Sequence, residues 1–256
     1  MIKAFDLTGK TAIVTGGGRG LGRAISKALS QAGAFVALAD MNRSDMDETI
    51  RLIQQGGGKA VSILCDVSQS NSVESMFVKA LKEFGKIDIL VNNAGLAWRK
   101  LLMDETEENW NRMIGVNLTG PFHCCRAVGS HMISRGSGKV INIASTSGME
   151  GEIGYTAYTM TKAGVILFTK SLALEWASYN INVNAIAPGW FHTPLTDPLT
   201  KDPVRFKEIM RGIPKGRLAN PDEIGPLVVY LASSASDFMT GSIIPLDGGQ
   251  LAGIWP

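Results

Sequence analysis

The sequence predicts an α/β protein: a doubly wound parallel sheet of about seven strands with helices on both faces, as a single domain over residues 1–256. Three observations carry that expectation. Short apolar, β-branched runs alternate with helical patterns from Thr11 to Leu246, and such alternation builds parallel sheets joined by helical crossovers. The first two runs enclose a glycine-rich turn, Gly16-Gly17-Gly18-Arg19-Gly20-Leu21-Gly22. No internal repeat, low-complexity tract or linker interrupts the chain, and a chain of this length can bury a sizeable core.

The elements follow in order. Thr11–Thr15 is a buried strand by its length and composition, Arg23–Gln31 is helical, and Phe35–Ala39 is the second strand. This βαβ unit of about 30 residues places a glycine turn at a helix N-terminus, where free N–H groups hold a pyrophosphate. Met46–Gln55 reads as a helix, Ala60–Cys65 as a strand, Val73–Phe84 as a helix and Ile87–Val91 as a fourth strand. Asn92-Asn93-Ala94-Gly95 then makes a small turn suited to backbone lying close to a ligand, or simply to left-handed conformations. Trp110–Met132 has helical spacing with Asn117 inside it, and Val140–Ala144 is the strand that delivers Ser145. After Tyr155 the pattern turns helical again. Ile181–Ala187 is the sixth strand and ends in Pro188-Gly189. Residues 190–216 are Pro-rich and weakly periodic, and read as a flexible flap over a site. Pro221–Ser233 is a helix, and Ser242–Leu246 is a last strand whose Pro245 suits a sheet edge.

Composition narrows the function classes. A net charge of +2 gives no electrostatic case for nucleic acid or an anionic membrane. The first ten residues lack the apolar core of a signal peptide, and no apolar run reaches the roughly 20 residues of a membrane span. Three cysteines, an odd and low count, suggest a reducing cytoplasm. Cys65 reads as core. Cys124 and Cys125, next to His123, point in different directions on a helix and read as packing, so no metal is expected.

Chemistry concentrates in Ser145 to Lys162. On a helix, Tyr158 and Lys162 share a face. A phenol is a poor base at neutral pH, and a neighbouring ammonium lowers its pKa, so Tyr158 can exchange a proton with an alcohol or carbonyl. Asp40, directly after the second strand, is placed to grip a ribose 2′-hydroxyl and to repel a 2′-phosphate. NAD is therefore favoured over NADP, with Arg19 and Arg43 arguing the other way. Asp66 caps a turn or touches an adenine.

Thr15-Gly16-x-x-x-Gly20-x-Gly22, Asn92-Asn93-Ala94-Gly95, Asn117, Ser145, Tyr158-x-x-x-Lys162 and Pro188-Gly189 occur in this order in one chain. Together they resemble the short-chain dehydrogenase/reductase family, over nearly the whole length from Leu7 to Gly249. The resemblance implies a Rossmann fold and a role for each position. Gly16, Gly20 and Gly22, with Arg19 and Leu21, hold the pyrophosphate turn. Asp40 selects NAD, Asp66 and Val67 edge the adenine, and Asn93, Ala94 and Gly95 line the ribose. Tyr158 is the acid/base, Ser145 hydrogen-bonds the substrate oxygen, Lys162 binds the nicotinamide ribose and lowers the tyrosine pKa, and Asn117 holds a water that relays the proton. Pro188, Gly189, Phe191 and Thr193 position the carboxamide. Arg19 stands where NADP users of the family often carry a basic residue. The family is commonly tetrameric, which implies a homotetramer whose interfaces include the Tyr158 helix. The tail from Leu251 to Pro256 is expected to pack against a neighbour.

The expected reaction is hydride transfer between a nicotinamide and a small-molecule secondary alcohol or ketone. The pocket is expected from Leu96–Arg99, Thr146–Tyr155 and Trp190–Arg211, mixing Trp98, Ile153 and Trp190 with Glu150, Glu152 and His192. The overall look is similar to gluconate and polyol dehydrogenases, with a 3-oxoacyl carrier-protein reductase as the rival. A dinucleotide-binding sensor with a silent site would show damage at Ser145, Tyr158 or Lys162, and all three are present.

Overall fold

A computed structural model of the protein describes residues 2–253; Ile254, Trp255 and Pro256 of the expected tail contact lie outside the described residues. The alternation of runs becomes β1 (Thr11–Thr15), α1 (Gly20–Gln31), β2 (Phe35–Asp40), α2 (Arg43–Gln55), β3 (Ala60–Leu64), α3 (Ser70–Phe84) and β4 (Ile89–Asn92). The second half adds α4 (Glu107–Ile114), α5 (Gly120–Arg135), β5 (Gly138–Ile143), α6 (Thr156–Trp176), β6 (Ile181–Pro188), α7 (Asp197–Thr200), α8 (Pro203–Arg211), α9 (Gly225–Ala232) and β7 (Ile243–Leu246). The strands form one parallel sheet in the order β3-β2-β1-β4-β5-β6-β7. Pro245 sits in the edge strand, where its missing N–H breaks no ladder.

Both faces of the sheet are covered, which explains the near-continuous apolar runs. In β1, Ala12 and Val14 join a core with Ile25 and Leu29 of α1 and Val228 and Leu231 of α9. Between them, Ile13 points to the other layer, with Met76 of α3, Val128 of α5 and Trp176 of α6. Cys65, Cys124 and Cys125 are buried in that second layer as free thiols, as packing groups. Burial pushes the Cys125 thiol up to about 12.

A polar line crosses this apolar interior. Asn92 Nδ2 donates to Asn142 Oδ1 at 2.8 Å, and Asn142 Nδ2 donates to Thr169 Oγ1 at 2.9 Å. The two asparagines are register partners across β4 and β5. The line thus ties the ends of both strands to α6.

Three expectations change. The single helix over 110–132 is α4 and α5 joined by a π turn, Gly115–Thr119, with Asn117 at its middle. Pro121 has no N–H to give the Asn117 carbonyl four residues back, and the helix widens there. The 190–216 segment is not irregular: it holds α7 and α8. Asp202 caps α8 by accepting from Val204 N and Arg205 N, and Pro203 takes the first helical position. The 221–233 helix begins as one 3-10 turn, Pro221–Ile224, closed by an Asn220–Glu223 capping box.

Candidate active site

The strand order reverses direction between β1 and β4, and ligands of open α/β sheets bind at such a point, beyond the carboxyl ends of the strands. The two turns named from sequence meet there. Thr15 Oγ1 accepts from the backbone N–H of Asn93 at 3.0 Å and of Ala94 at 3.1 Å. Asn93 Nδ2 donates to the Thr15 and Gly16 carbonyls at 2.9 and 3.0 Å. Asn93 therefore braces the glycine turn with its side chain rather than offering that side chain to a ligand. Thr15 is a site residue by this bracing, although from sequence it marked only the family pattern.

The turn fits a pyrophosphate. Gly16 has φ of +62°, and a Cβ there would lie 2.9 Å from Ala94 Cα. A Cβ on Gly22 would run into the Gly16 carbonyl oxygen. The two glycines let strand, turn and helix close up. No side chain caps the first turn of α1, so its N–H groups remain available to an anion. Leu21 packs against the core and anchors that turn. Thr193 and Pro194 lie against Gly20, bringing the segment after β6 to the mouth of the cradle.

At the end of β2, Asp40 Oδ2 accepts from Gly18 N at 3.0 Å, and Oδ1 accepts from Asn42 N at 3.1 Å. The two arginines that argued for NADP are both engaged. Arg19 Nε lies 3.8 Å from Asp45 Oδ2, and Arg43 donates to Ser62 Oγ. Asp66 Oδ1 accepts from the Ser68 N–H and hydroxyl at 2.9 and 2.7 Å, which is the turn-capping role. Val67 is buried, packs on Gly120, and its carbonyl hydrogen-bonds with His123 Nδ1.

β5 delivers Ser145, and α6 carries Tyr158 and Lys162 back across the same end of the sheet. Ser145 Oγ accepts from Ser147 N at 3.1 Å. Lys162 is 5% exposed, and its Nζ donates to the Ile143 carbonyl at 2.8 Å and lies 5.7 Å from the Tyr158 ring centre. A side chain on Gly95 would come within 3.7 Å of Lys162 Nζ and 3.5 Å of Asn117 Oδ1, so Gly95 closes the group. Asn117 is buried and doubly bonded to Leu96: its Oδ1 accepts from Leu96 N and its Nδ2 donates to Leu96 O, both at 2.8 Å. The side chain fixes the loop after β4.

The electrostatics differ from the sequence expectation. Burial pushes the Tyr158 hydroxyl up to about 12, against the hydrogen bond from Ser145 and with the nearby Glu152 charge adding to the rise. Burial also pulls Lys162 down to about 8. Lys162 spends its proton on a carbonyl instead of the phenol, so in this form the tyrosine is a firmly protonated acid.

Around this group, Pro188 ends β6 and Gly189 lies against Asp247. Thr193 is buried close to Gly20. Phe191 is 2% exposed, and its side chain packs into the main core. Its carbonyl accepts from Thr196 Oγ1, which shapes the loop from within. His192 is exposed.

The comparisons with known proteins agree with this geometry. The family model described as enoyl-(acyl carrier protein) reductase matches residues 16–250. The 2-dehydro-3-deoxy-D-gluconate 5-dehydrogenase of Bacillus subtilis is 44% identical over 249 residues, covering 97% of both chains. The 3-oxoacyl-[acyl-carrier-protein] reductase of Chlamydia trachomatis is 40% identical, covering 95% of this chain and 98% of that one. Among solved structures, a gluconate 5-dehydrogenase from Burkholderia cenocepacia in complex with NADP and tartrate superposes with a TM-score of 0.94. It is 35% identical and covers 98% of each chain. With the switch-point cradle, the Ser145, Tyr158 and Lys162 group, and these relatives over nearly its full length, the chain belongs to the short-chain dehydrogenase/reductase family.

Proposed function

We propose that the protein is a nicotinamide-dependent dehydrogenase that interconverts a secondary alcohol and a ketone on a sugar acid or polyol. The observation that carries this reading is the placement of Ser145, Tyr158 and Lys162 at the carboxyl end of the sheet, beside the glycine cradle. The glycine turn and the α1 N-terminus would hold the pyrophosphate, Asp40 the adenosine ribose, Gly95 and Lys162 the nicotinamide ribose, and Pro188, Gly189 and Thr193 the carboxamide. A nicotinamide bound there supplies the hydride acceptor in oxidation and the donor in reduction.

The chain's own groups handle the proton. In reduction, Tyr158 gives its hydroxyl proton to the substrate oxygen while Ser145 donates a hydrogen bond to it, and the two together stabilise the developing charge. In oxidation Tyr158 must first ionise, which the proximity of Lys162 assists. Asn117, at the π turn, holds the loop after β4 with its side chain, and its main-chain carbonyl, to which Pro121 gives no N–H, would hold a water through which the proton leaves. Asp40 and the tethering of Arg19 and Arg43 support NAD as the preferred dinucleotide, although the Burkholderia relative is in complex with NADP. The exposed Leu167 and Leu174 of α6 and Phe122 of α5 support assembly as a homotetramer, and the three buried free thiols support a cytoplasmic setting.

The test is reduction of NAD⁺ and NADP⁺ at alkaline pH across sugar acids, polyols and cyclic secondary alcohols. Turnover of a sugar acid or polyol with NAD⁺ is the expected result. Activity confined to NADPH and 3-oxoacyl thioesters would replace this reading with the carrier-protein reductase one, which the Chlamydia relative keeps in play.

A further inference from the structure

Beside the acid–base group lies a carboxylate that the group does not use. Glu152 lies in the loop between β5 and α6, half-buried. One of its oxygens, Oε2, accepts from Ser147 Oγ at 3.1 Å. Ser147 in turn gives its backbone N–H to Ser145 Oγ at 3.1 Å, so Glu152 is two hydrogen bonds from the proposed oxyanion-stabilising hydroxyl. Its charge reaches the Tyr158 hydroxyl.

The groups around it leave it under-used. Arg99, from the loop after β4, and Arg205, from α8, act on it from a distance. Arg205 makes its close ion pair with Glu208 instead, at 2.7 Å. Glu150 adds a like charge, and is itself held by Gln250 Nε2 at 2.7 Å. Tyr155, beside it, approaches Arg205 and packs edge-on against Tyr158, ring centres 6.2 Å apart. Burial raises the Glu152 carboxyl, the mark of a charge short of donors. An ionised carboxylate has about four acceptor positions, and a protein side chain fills one of them here. A polyhydroxy compound brings the missing O–H donors; a plain ketone or an acyl thioester does not.

We propose that Glu152 determines substrate choice by accepting hydrogen bonds from the hydroxyl groups that flank the reacting carbon of a polyhydroxy substrate. This rests on the dehydrogenase reading of the same site. A bracing role for the loop, through Ser147 alone, is the competing account, and it predicts equal damage on every substrate.

The experiment compares Glu152→Gln and Glu152→Ala with wild type, using gluconate and cyclohexanol as substrates with NAD⁺. Glu152→Gln keeps the shape and a hydrogen-bonding partner for Ser147. For gluconate, KM should rise about tenfold or more in Glu152→Gln and further in Glu152→Ala, the loss expected for a charged acceptor. Loss of the charge also bears on Tyr158, and that effect falls on both substrates alike, so the ratio of kcat/KM for gluconate to that for cyclohexanol should fall about tenfold. An unchanged gluconate KM, or equal losses on both substrates, would overturn the proposal. A wild-type enzyme that oxidises cyclohexanol but no polyhydroxy compound would also overturn it, while leaving the dehydrogenase reading intact. A wild-type protein inert towards every alcohol would remove both.

Discussion

Replacing Lys162 with methionine should abolish turnover and yet make the protein more stable at neutral pH. Lys162 is 5% exposed, and burial pulls its ammonium from an ordinary 10.5 to about 8. At about 1.4 kcal/mol per tenfold change, holding that charge in the fold costs about 3 kcal/mol at pH 7. Methionine fills a similar volume without charge, but the Ile143 carbonyl loses its 2.8 Å donor, at about 1–2 kcal/mol. The net expectation is a gain of about 1–2 kcal/mol, or a rise in Tm of roughly 2–8 °C for a chain of this size. The sign carries a pH signature. The folded value lies below the unfolded one, so the penalty is complete below pH 8 and fades as pH rises from 8 towards 10.5. Unfolding followed by fluorescence of the five tryptophans at pH 7 and pH 9.5 reads both. The variant's advantage should shrink or reverse at the higher pH. A variant less stable than wild type at pH 7, or an advantage that ignores pH, would refute the reasoning.

Three further outcomes test the site. Tyr158→Phe should lower kcat by about 10²–10⁴ while leaving NADH binding, read by fluorescence, unchanged; near-normal turnover would remove Tyr158 as the acid/base. In the wild type, a hydroxyl pushed up to about 12 must ionise before it can act as a base, so alcohol oxidation should keep climbing from pH 7 to pH 10. Asp45→Asn should release Arg19, whose partner lies 3.8 Å away on a largely exposed face. The pair is worth at most about 1 kcal/mol, so the NADP⁺ to NAD⁺ ratio of kcat/KM should rise by up to about fivefold; an unchanged ratio would mean that Asp40 alone sets the preference.

The strand–helix alternation was readable because a sheet covered on both faces demands unbroken apolar runs, and β1, β2 and β4 supply them. The ordered motif residues also arrive where expected, since a strand end followed by Gly or Asn leaves few backbone choices. What stayed hidden depends on contacts between distant segments. Nothing local says that Asn93 would turn its amide onto the Thr15 and Gly16 carbonyls, or that Asn117 would be consumed by Leu96. Nothing next to Pro188-Gly189 says that the Phe191 side chain packs into the main core. The helix α8 was missed although Asp202-Pro203 is a sound start signal, because its apolar side chains serve a small separate cluster around Ile209, Ile213 and Leu218. The Tyr158–Lys162 spacing was visible, but not that burial would raise the phenol and lower the ammonium.

The buried line from Asn92 through Asn142 to Thr169 bears on how the chain reaches this state at all. Parallel strands are joined by long crossovers, form late, and can zip up out of step at little cost when every side chain is aliphatic. A slip of one residue between β4 and β5 would turn one asparagine into the opposite layer and strand two amides among valines and isoleucines, at about 1–3 kcal/mol each. Misaligned sheets are thereby selected against during folding. The same proofreading sets the Asn93 turn, Ser145 and Tyr158 at a common height, because β4, β5 and α6 all meet at this one line of amides.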